Sequence, residues 1–382
     1  MTTKTHLPGR QAFVAVVLGC LVTLVASSCT SLGGGAAGDG ERGEKRVAYL
    51  QNTLDPIPLV MSWPVTPVPE KVTGICIDGD LVYSQGAKNS IYASTLSDGM
   101  LQWAYRGFDA PLDLQPVHNS YASVLVSQGD MVAIEHLTGR PMWVRRLEIA
   151  TTSEPAISES HLYVGSHSRN LQAYNLADGR GDWFRRVRRS YVTAAPVVHE
   201  PRVFFAAENG NVYSIDGASG DSGASEGILH TAKDAIVADL YVHGDHVYVA
   251  SQDHNLYCID RLSGKIVWTF IALTPLSTGA LSGGGLVYVR SADGVMHAID
   301  EMTGEERWMV PDVERFVAAV AGDSYLLRGK RTLLRIDIAT GEEMGRVRLD
   351  AWDYIPSNPE GDQLVLGTRD GYVFALEELR IR

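Results

Sequence analysis

Short runs in which apolar and polar positions alternate recur along most of the chain, among them LVYS, HLYVG, RVFFA, HVYVA and LVYVR. Compact turns such as Glu208-Asn209-Gly210-Asn211 and Ala292-Asp293-Gly294 follow them. A period of two marks strands with one buried face, and punctuation about every ten residues predicts antiparallel neighbours joined by tight turns.

The runs belong to a repeat. A small residue, a hydrophobic position, a turn closed by Gly and a Trp four residues later appear in YASTLSDGMLQW, VAIEHLTGRPMW, QAYNLADGRGDW, YCIDRLSGKIVW and HAIDEMTGEERW, which end at Trp103, Trp143, Trp183, Trp268 and Trp308. Two degenerate copies place Ala224 and Gly345 where Trp belongs, and YVFALEEL is a last, incomplete copy. The turn glycines, Gly99, Gly139, Gly179, Gly220, Gly264, Gly304 and Gly341, are spaced by 40, 40, 41, 44, 40 and 37 residues. Four strands in about 40 residues, with one Trp per copy, is the signature of propeller blades.

The sequence therefore predicts an all-β fold, an eight-bladed β-propeller of four-stranded antiparallel blades. A solenoid is the competing repeat architecture, and the chain ends argue against it. From Asp353 to Arg382 there is room for three strands, whereas Leu59 to Val68, carrying Trp63, reads as an orphan fourth. An N-terminal strand completing the last blade closes the ring. Pro64 and Pro67 fit an outermost strand, where one side needs no ladder partner.

Ahead of the repeats, Lys4 and Arg10 precede an apolar run from Ala12 to Ala26 that ends at Ser27-Ser28-Cys29. Fifteen apolar residues fall short of the ~20 that a spanning helix needs, and the order of charge, apolar run and small residues reads as an export signal. Residues 1–28 are read as a lipoprotein signal peptide, 29–48 as a lipid-anchored flexible tether rich in Gly, Ser and charge, and 49–382 as the propeller. Ala26-Ser27-Ser28-Cys29 resembles the lipobox of bacterial lipoproteins, which implies acylation of Cys29. Thr30 in place of Asp after that cysteine implies, by the same resemblance, the outer membrane facing the periplasm.

Composition narrows the function. A formal charge of −12 and pI near 5.4 argue against nucleic acid as a partner, because phosphate binding needs Lys and Arg over a broad face. Beyond the leader only Cys76 and Cys258 remain, so no disulfide framework and no CxxC metal pair is present in the sequence.

The pattern running from Ala298-Ile299-Asp300 through Thr303-Gly304 to Trp308 is similar to the repeat of quinoprotein dehydrogenases, which bind pyrroloquinoline quinone. With a lipobox, a tether and eight such blades, the chain resembles the BamB family of lipoprotein accessories to outer-membrane barrel assembly. That resemblance implies a non-catalytic scaffold, monomeric within a complex, whose partner is a BamA-type barrel-assembly protein. The alternatives are a quinoprotein-type dehydrogenase and a propeller for another envelope partner or a small ligand.

The enzymatic alternative lacks its parts. No two cysteines are adjacent to cover a quinone, and Asp216, Asp260, Asp300 and Asp337 recur at one repeat position, which suits turn residues better than catalytic ones. Cys258 occupies the slot of Ala93, Ala133, Ala173, Ser214, Ala298 and Ala375, as a small packing residue would. The histidines, including His118 and His136, show no sequence spacing of a zinc or hydrolytic site. No catalytic residue, cofactor or metal ligand is therefore assigned.

One feature breaks the periodicity. Arg106, Arg146 and Arg186 stand three residues after a blade Trp, Arg145 and Arg185 stand two after it, and Arg188 and Arg189 follow. Such arginines either pair with carboxylates along solvated outer strands or form a partner surface. By the family resemblance, the loop with Arg188, Arg189 and Tyr191 corresponds to one that contacts the barrel protein, and Asp234 to an acidic contact position.

Overall fold

The computed structural model describes residues 38–54, 57–62, 68–147, 149–151, 153–223, 226–276, 278–359 and 361–378. The signal-peptide reading, Cys29, Trp63, Pro64, Pro67 and Ala224 lie outside them. The chain divides into two units, 1–49 and 50–382. A helix runs from Gly38 to Asn52, so the part of the expected tether from residue 38 to 48 is helical rather than extended coil. Its sequence explains the difference: after Gly43 come Glu, Lys, Arg, Ala, Leu and Gln, residues that lose little rotamer freedom in a helix.

The second unit is the eight-bladed propeller. Seven sheets have four strands in sequence order. Blade one, for example, is built from Val72–Asp78, Leu81–Gly86, Ile91–Thr95 and Leu101–Tyr105. Blades two to seven span residues 117–146, 156–186, 197–231, 241–271, 281–310 and 315–348. Blade eight pairs Leu364–Gly367 with Val373–Glu378, and the latter with Leu59–Met61. The Tyr354↔Gly367 bridge takes the innermost position of that blade.

Closure is thus by the N-terminal strand, over three residues of the segment that the sequence suggests. Leu59 lies opposite Glu378 and Met61 opposite Leu376, and the Ser62 N–H donates to the Ala375 carbonyl at 3.0 Å. Across the seam, Val365, Val373 and Ala375 of blade eight pack with Val72, Val82 and Tyr92 of blade one. The Tyr354 hydroxyl donates to the Val72 carbonyl at 2.9 Å.

The repeat motif has one physical meaning in each copy that carries the Trp. The small residue faces the Trp across the strand pair, as Ala93 faces Trp103, Ala173 faces Trp183 and Cys258 faces Trp268. A larger side chain there would compete with the indole for the same space. Each indole N–H then donates to a backbone carbonyl of the following blade: Trp103 to His136 at 3.0 Å, Trp143 to Leu176 at 2.8 Å, Trp183 to Ala218 at 3.1 Å, Trp268 to Glu301 at 3.0 Å and Trp308 to Ile338 at 2.9 Å. The turn Gly of the following blade lies against the same indole. Burial of a large ring, complete or, at Trp183, partial, and satisfaction of its one polar atom come together at every such junction.

Candidate partner-binding face

In each four-stranded blade, the turn between the second and third strands lies on the same face as the loop to the next blade. Two loops on that face carry the residues singled out in the sequence. Residues 187–196 lead from blade three to blade four, and residues 232–240 lead from blade four to blade five.

The first loop is anchored from below and exposed above. The Val187 N–H donates to the Arg169 carbonyl at 2.8 Å, the Ser190 hydroxyl accepts from the Asn209 N–H at 3.0 Å, and the Tyr191 carbonyl accepts from the Glu208 N–H at 3.1 Å. Val187, Ser190 and Val192 are buried, whereas Arg188 and Arg189 are exposed. The alternation is that of a fixed backbone presenting charge.

The arginines gather there. A cleft of about 390 Å³ is lined by Ser168, Arg169, Arg186, Val187, Arg188 and Arg189. Arg169 lies with its Cζ 5.0 Å from the Tyr191 ring centroid, within cation–π range. Both Arg169, at φ +63°, and Arg189, at φ +54°, occupy the left-handed region, which side chains with a Cβ rarely adopt. The turn position of Arg169 is filled by Gly210, Gly294 and Gly371 in other blades. Placing arginine there costs conformational energy that glycine avoids.

Arg188 is also ion-paired, its Nη2 lying 2.9 Å from Glu226 Oε1 with the arginine side chain 82% exposed. A pair so open to water contributes little to folding. Along the same stripe Arg146 pairs with Asp130 at 3.0 Å, and Arg106 donates to the Tyr92 hydroxyl at 3.3 Å. Arg185 donates to the Glu226 carbonyl at 2.8 Å.

Asp234 is exposed in the second loop and caps its own turn, accepting from the Ala235 N–H at 2.7 Å. The turn through Gly210 lies between the two loops: it is held on one side by Ser190 and Tyr191, and a Cβ on Gly210 would meet the carbonyls of Ala232 and Asp234 at 2.7 Å. The structure brings Arg188, Arg189, Tyr191 and Asp234 onto one face of adjacent blades, with opposite charges at its two ends. Arg169 was absent from the sequence reading; it stands in the turn from the second to the third strand, outside the Trp-anchored stripe.

The periodic aspartates are turn caps. Asp260 accepts from the N–H and hydroxyl of Ser263 at 2.7 and 2.6 Å, Asp216 does the same with Ser219 at 2.9 and 2.7 Å, and Asp337 with Thr340 at 2.7 and 2.9 Å. Donation to the ionised form holds all three below the usual carboxylate range. Cys76 and Cys258 are free thiols of blades one and five, and burial pushes each up to about 12. Neither presents a thiolate near neutral pH.

A cluster that sequence spacing did not suggest is formed by Asp80, His118 and His136, on the opposite face. Its members are separated in the chain and come together only where blade one meets blade two.

A family model described as outer membrane protein assembly factor BamB matches residues 62–270 and 263–378. A protein of that description from Yersinia pestis is 24% identical over 162 residues, covering 38% of this chain and 41% of its own length. The chain thus aligns with less than half of that relative. Among solved structures, BamB from Moraxella catarrhalis superposes with a TM-score of 0.66 at 16% identity, covering 85% of this chain and 98% of the other. The computationally designed Ika8 protein gives 0.63 at 16% identity, covering 84% and 99%. A quinohemoprotein alcohol dehydrogenase from Pseudomonas putida gives 0.60 at 11%, covering 84% and 76%.

Proposed function

Because the chain belongs to the BamB family of outer membrane protein assembly factors, matched over most of its length, we propose that it is a non-catalytic scaffold of the cell envelope. In this reading it serves assembly and insertion of outer-membrane β-barrel proteins and holds a BamA-type partner. Acylation at Cys29 anchors it to the outer membrane on the periplasmic side, with the propeller supplying the binding surface.

The observation that carries the reading is the cluster of Arg169, Arg186, Arg188 and Arg189 beside Tyr191 on an otherwise acidic protein. Arg and Tyr dominate interface energies because they combine large contact area with directional hydrogen bonds. Of these, Arg188, Arg189 and Tyr191 stand on a loop fixed by buried neighbours, where binding residues concentrate. A carboxylate-bearing partner segment would satisfy the guanidinium groups, displacing Glu226 from Arg188.

Affinity purification of the full chain from detergent-solubilised envelopes tests the proposal. A large β-barrel protein recovered in stoichiometric amount supports it; recovery of the chain without one contradicts it. Mass spectrometry of the mature N-terminus tests the anchor, which requires a diacylglyceryl-modified Cys29. An unmodified N-terminus at or beyond Thr30 contradicts that part alone.

A further inference from the structure

The exposed turn of blade one and two histidines of blade two converge. Asp80 follows Gly79 in the turn between the first two strands of blade one, His118 ends the first strand of blade two, and His136 opens the motif turn of blade two. One ring nitrogen from each histidine and a carboxylate oxygen of Asp80 lie within 4.8 Å of one another. His118 Nε2 is 2.9 Å from Asp80 Oδ1. The two imidazoles stack, with centroids 4.9 Å apart and planes inclined by 18°, so they approach the carboxylate side by side.

We propose that Asp80, His118 and His136 form a site for one divalent transition-metal ion, Zn²⁺ being the probe to test it, that clips blade one to blade two. Two imidazoles and a carboxylate are a donor set that zinc accepts, whereas Ca²⁺ and Mg²⁺ prefer oxygen ligands throughout. Bonds of about 2.0–2.2 Å to such ligands bring donors of a tetrahedral site to roughly 3.4 Å apart. His118 and Asp80, at 2.9 Å, lie inside that spacing, and His136 lies within 4.8 Å of both.

The surroundings suit a metal better than a plain hydrogen-bonded triad. His136 Nδ1 is buried without a hydrogen-bond partner, a condition that calls for an explanation in a well-formed fold and that an ion supplies. On the far side of His118, Nδ1 is 2.9 Å from Asp78 Oδ2, near in distance though off the angle of a hydrogen bond. A small ring rotation would align them as the carboxylate–histidine support that metal-bound imidazoles generally have. Gly79 leaves the room: a Cβ there, at φ +51°, would stand 3.1 Å from His118 Cε1 and 3.3 Å from Nε2. Asp80 has a side chain 74% exposed against 7% for His118, so an ion could enter from solvent and keep a water on its open side.

Its effect would be structural. The His136 carbonyl already accepts from the Trp103 indole of blade one, and a metal would add a second link between the same two blades. Binding to the folded form alone raises stability with metal concentration.

The test uses the full chain, stripped with EDTA and titrated with ZnCl2 by calorimetry and by thermal melts, with MgCl2 as control. Expected are one equivalent of Zn²⁺ bound, a Tm that climbs with Zn²⁺ and none of this with Mg²⁺. Asp80→Asn, at an exposed position, should melt like wild type without metal yet bind at least about tenfold more weakly. His136→Gln should do the same if it folds. Failure of wild type to take up Zn²⁺, or wild-type affinity in Asp80→Asn, overturns the proposal.

Discussion

A Cβ added to Gly304 would stand 2.7 Å from Cγ and Cδ2 of Trp268, an indole that belongs to the preceding blade. The same relation joins Gly179 to Trp143 and Gly220 to Trp183. Where the previous blade carries one of these motif Trp residues, the glycine that closes the motif turn is thus also the surface on which that Trp rests, whereas Gly264, after the degenerate copy, lies against Leu229. One residue type meets two demands, a left-handed backbone and the absence of a side chain.

Gly304→Ala should therefore lose more stability than Gly244→Ala. Both positions have positive φ, +74° and +56°, but nothing lies within 4 Å of a Cβ at Gly244. Backbone strain alone costs about 1–2 kcal/mol, and displacing the indole adds about 1–3 kcal/mol. Urea melts of the two variants measure the difference; equal losses would remove the packing role assigned to Gly304.

Deleting residues 57–62 should open the ring. Ile57 and Leu59 are buried, and truncating even one such aliphatic side chain costs about 2–5 kcal/mol. The deletion also bares the outer edge of Val373–Glu378, a template for pairing with another chain. The expected result is a lower Tm together with concentration-dependent association on a sizing column. A monomer with the wild-type melt would show that the N-terminal strand is dispensable.

Acid should weaken the turns through their capping carboxylates. Asp300 is held at about 2, below its ordinary 3.8, chiefly by hydrogen bonds from Arg307 and by the Thr303 N–H. A group whose folded value is depressed contributes stability that is complete above its unfolded value and lost as pH falls through the folded one. Stability should thus decline as pH falls below about 4 towards 2. In Asp300→Asn that decline should be shallower, while wild type and variant differ most at pH 5 and above. Urea midpoints between pH 2.5 and 7 provide the check, and parallel curves would contradict it.

The fold was legible because each blade repeats the same solution. Seven turn glycines in register, small residues such as Ala93 and Ala298 opposite their Trp, and Asp–Ser/Thr caps all report local constraints that sequence carries directly. Ring closure was legible from the missing strand, although the paired stretch is only Leu59–Met61. The helix Gly38–Asn52 was hidden behind a Gly-rich start that reads as tether. Of the candidate face, Arg188 and Arg189 stood out as departures from the repeat, whereas Tyr191 and Asp234 came only through the family resemblance. Arg169 did not stand out, because it joins them only through the packing of a turn against a loop. Asp80, His118 and His136 were likewise invisible to spacing, since a propeller brings together residues one blade apart.

The central claim, that the loop from blade three to blade four is a partner surface, is tested most directly by Arg188→Ala/Arg189→Ala beside Arg145→Ala/Arg146→Ala. Both doubles change exposed charges that contribute roughly 0–1 kcal/mol per pair to folding, so both should melt close to wild type. Recovery of the barrel partner from solubilised envelopes, quantified at low and physiological salt, should fall at least about tenfold for the first double and remain near wild type for the second. Equal recovery with wild type and both doubles at both salt concentrations would contradict the account and make the stripe a solvated face.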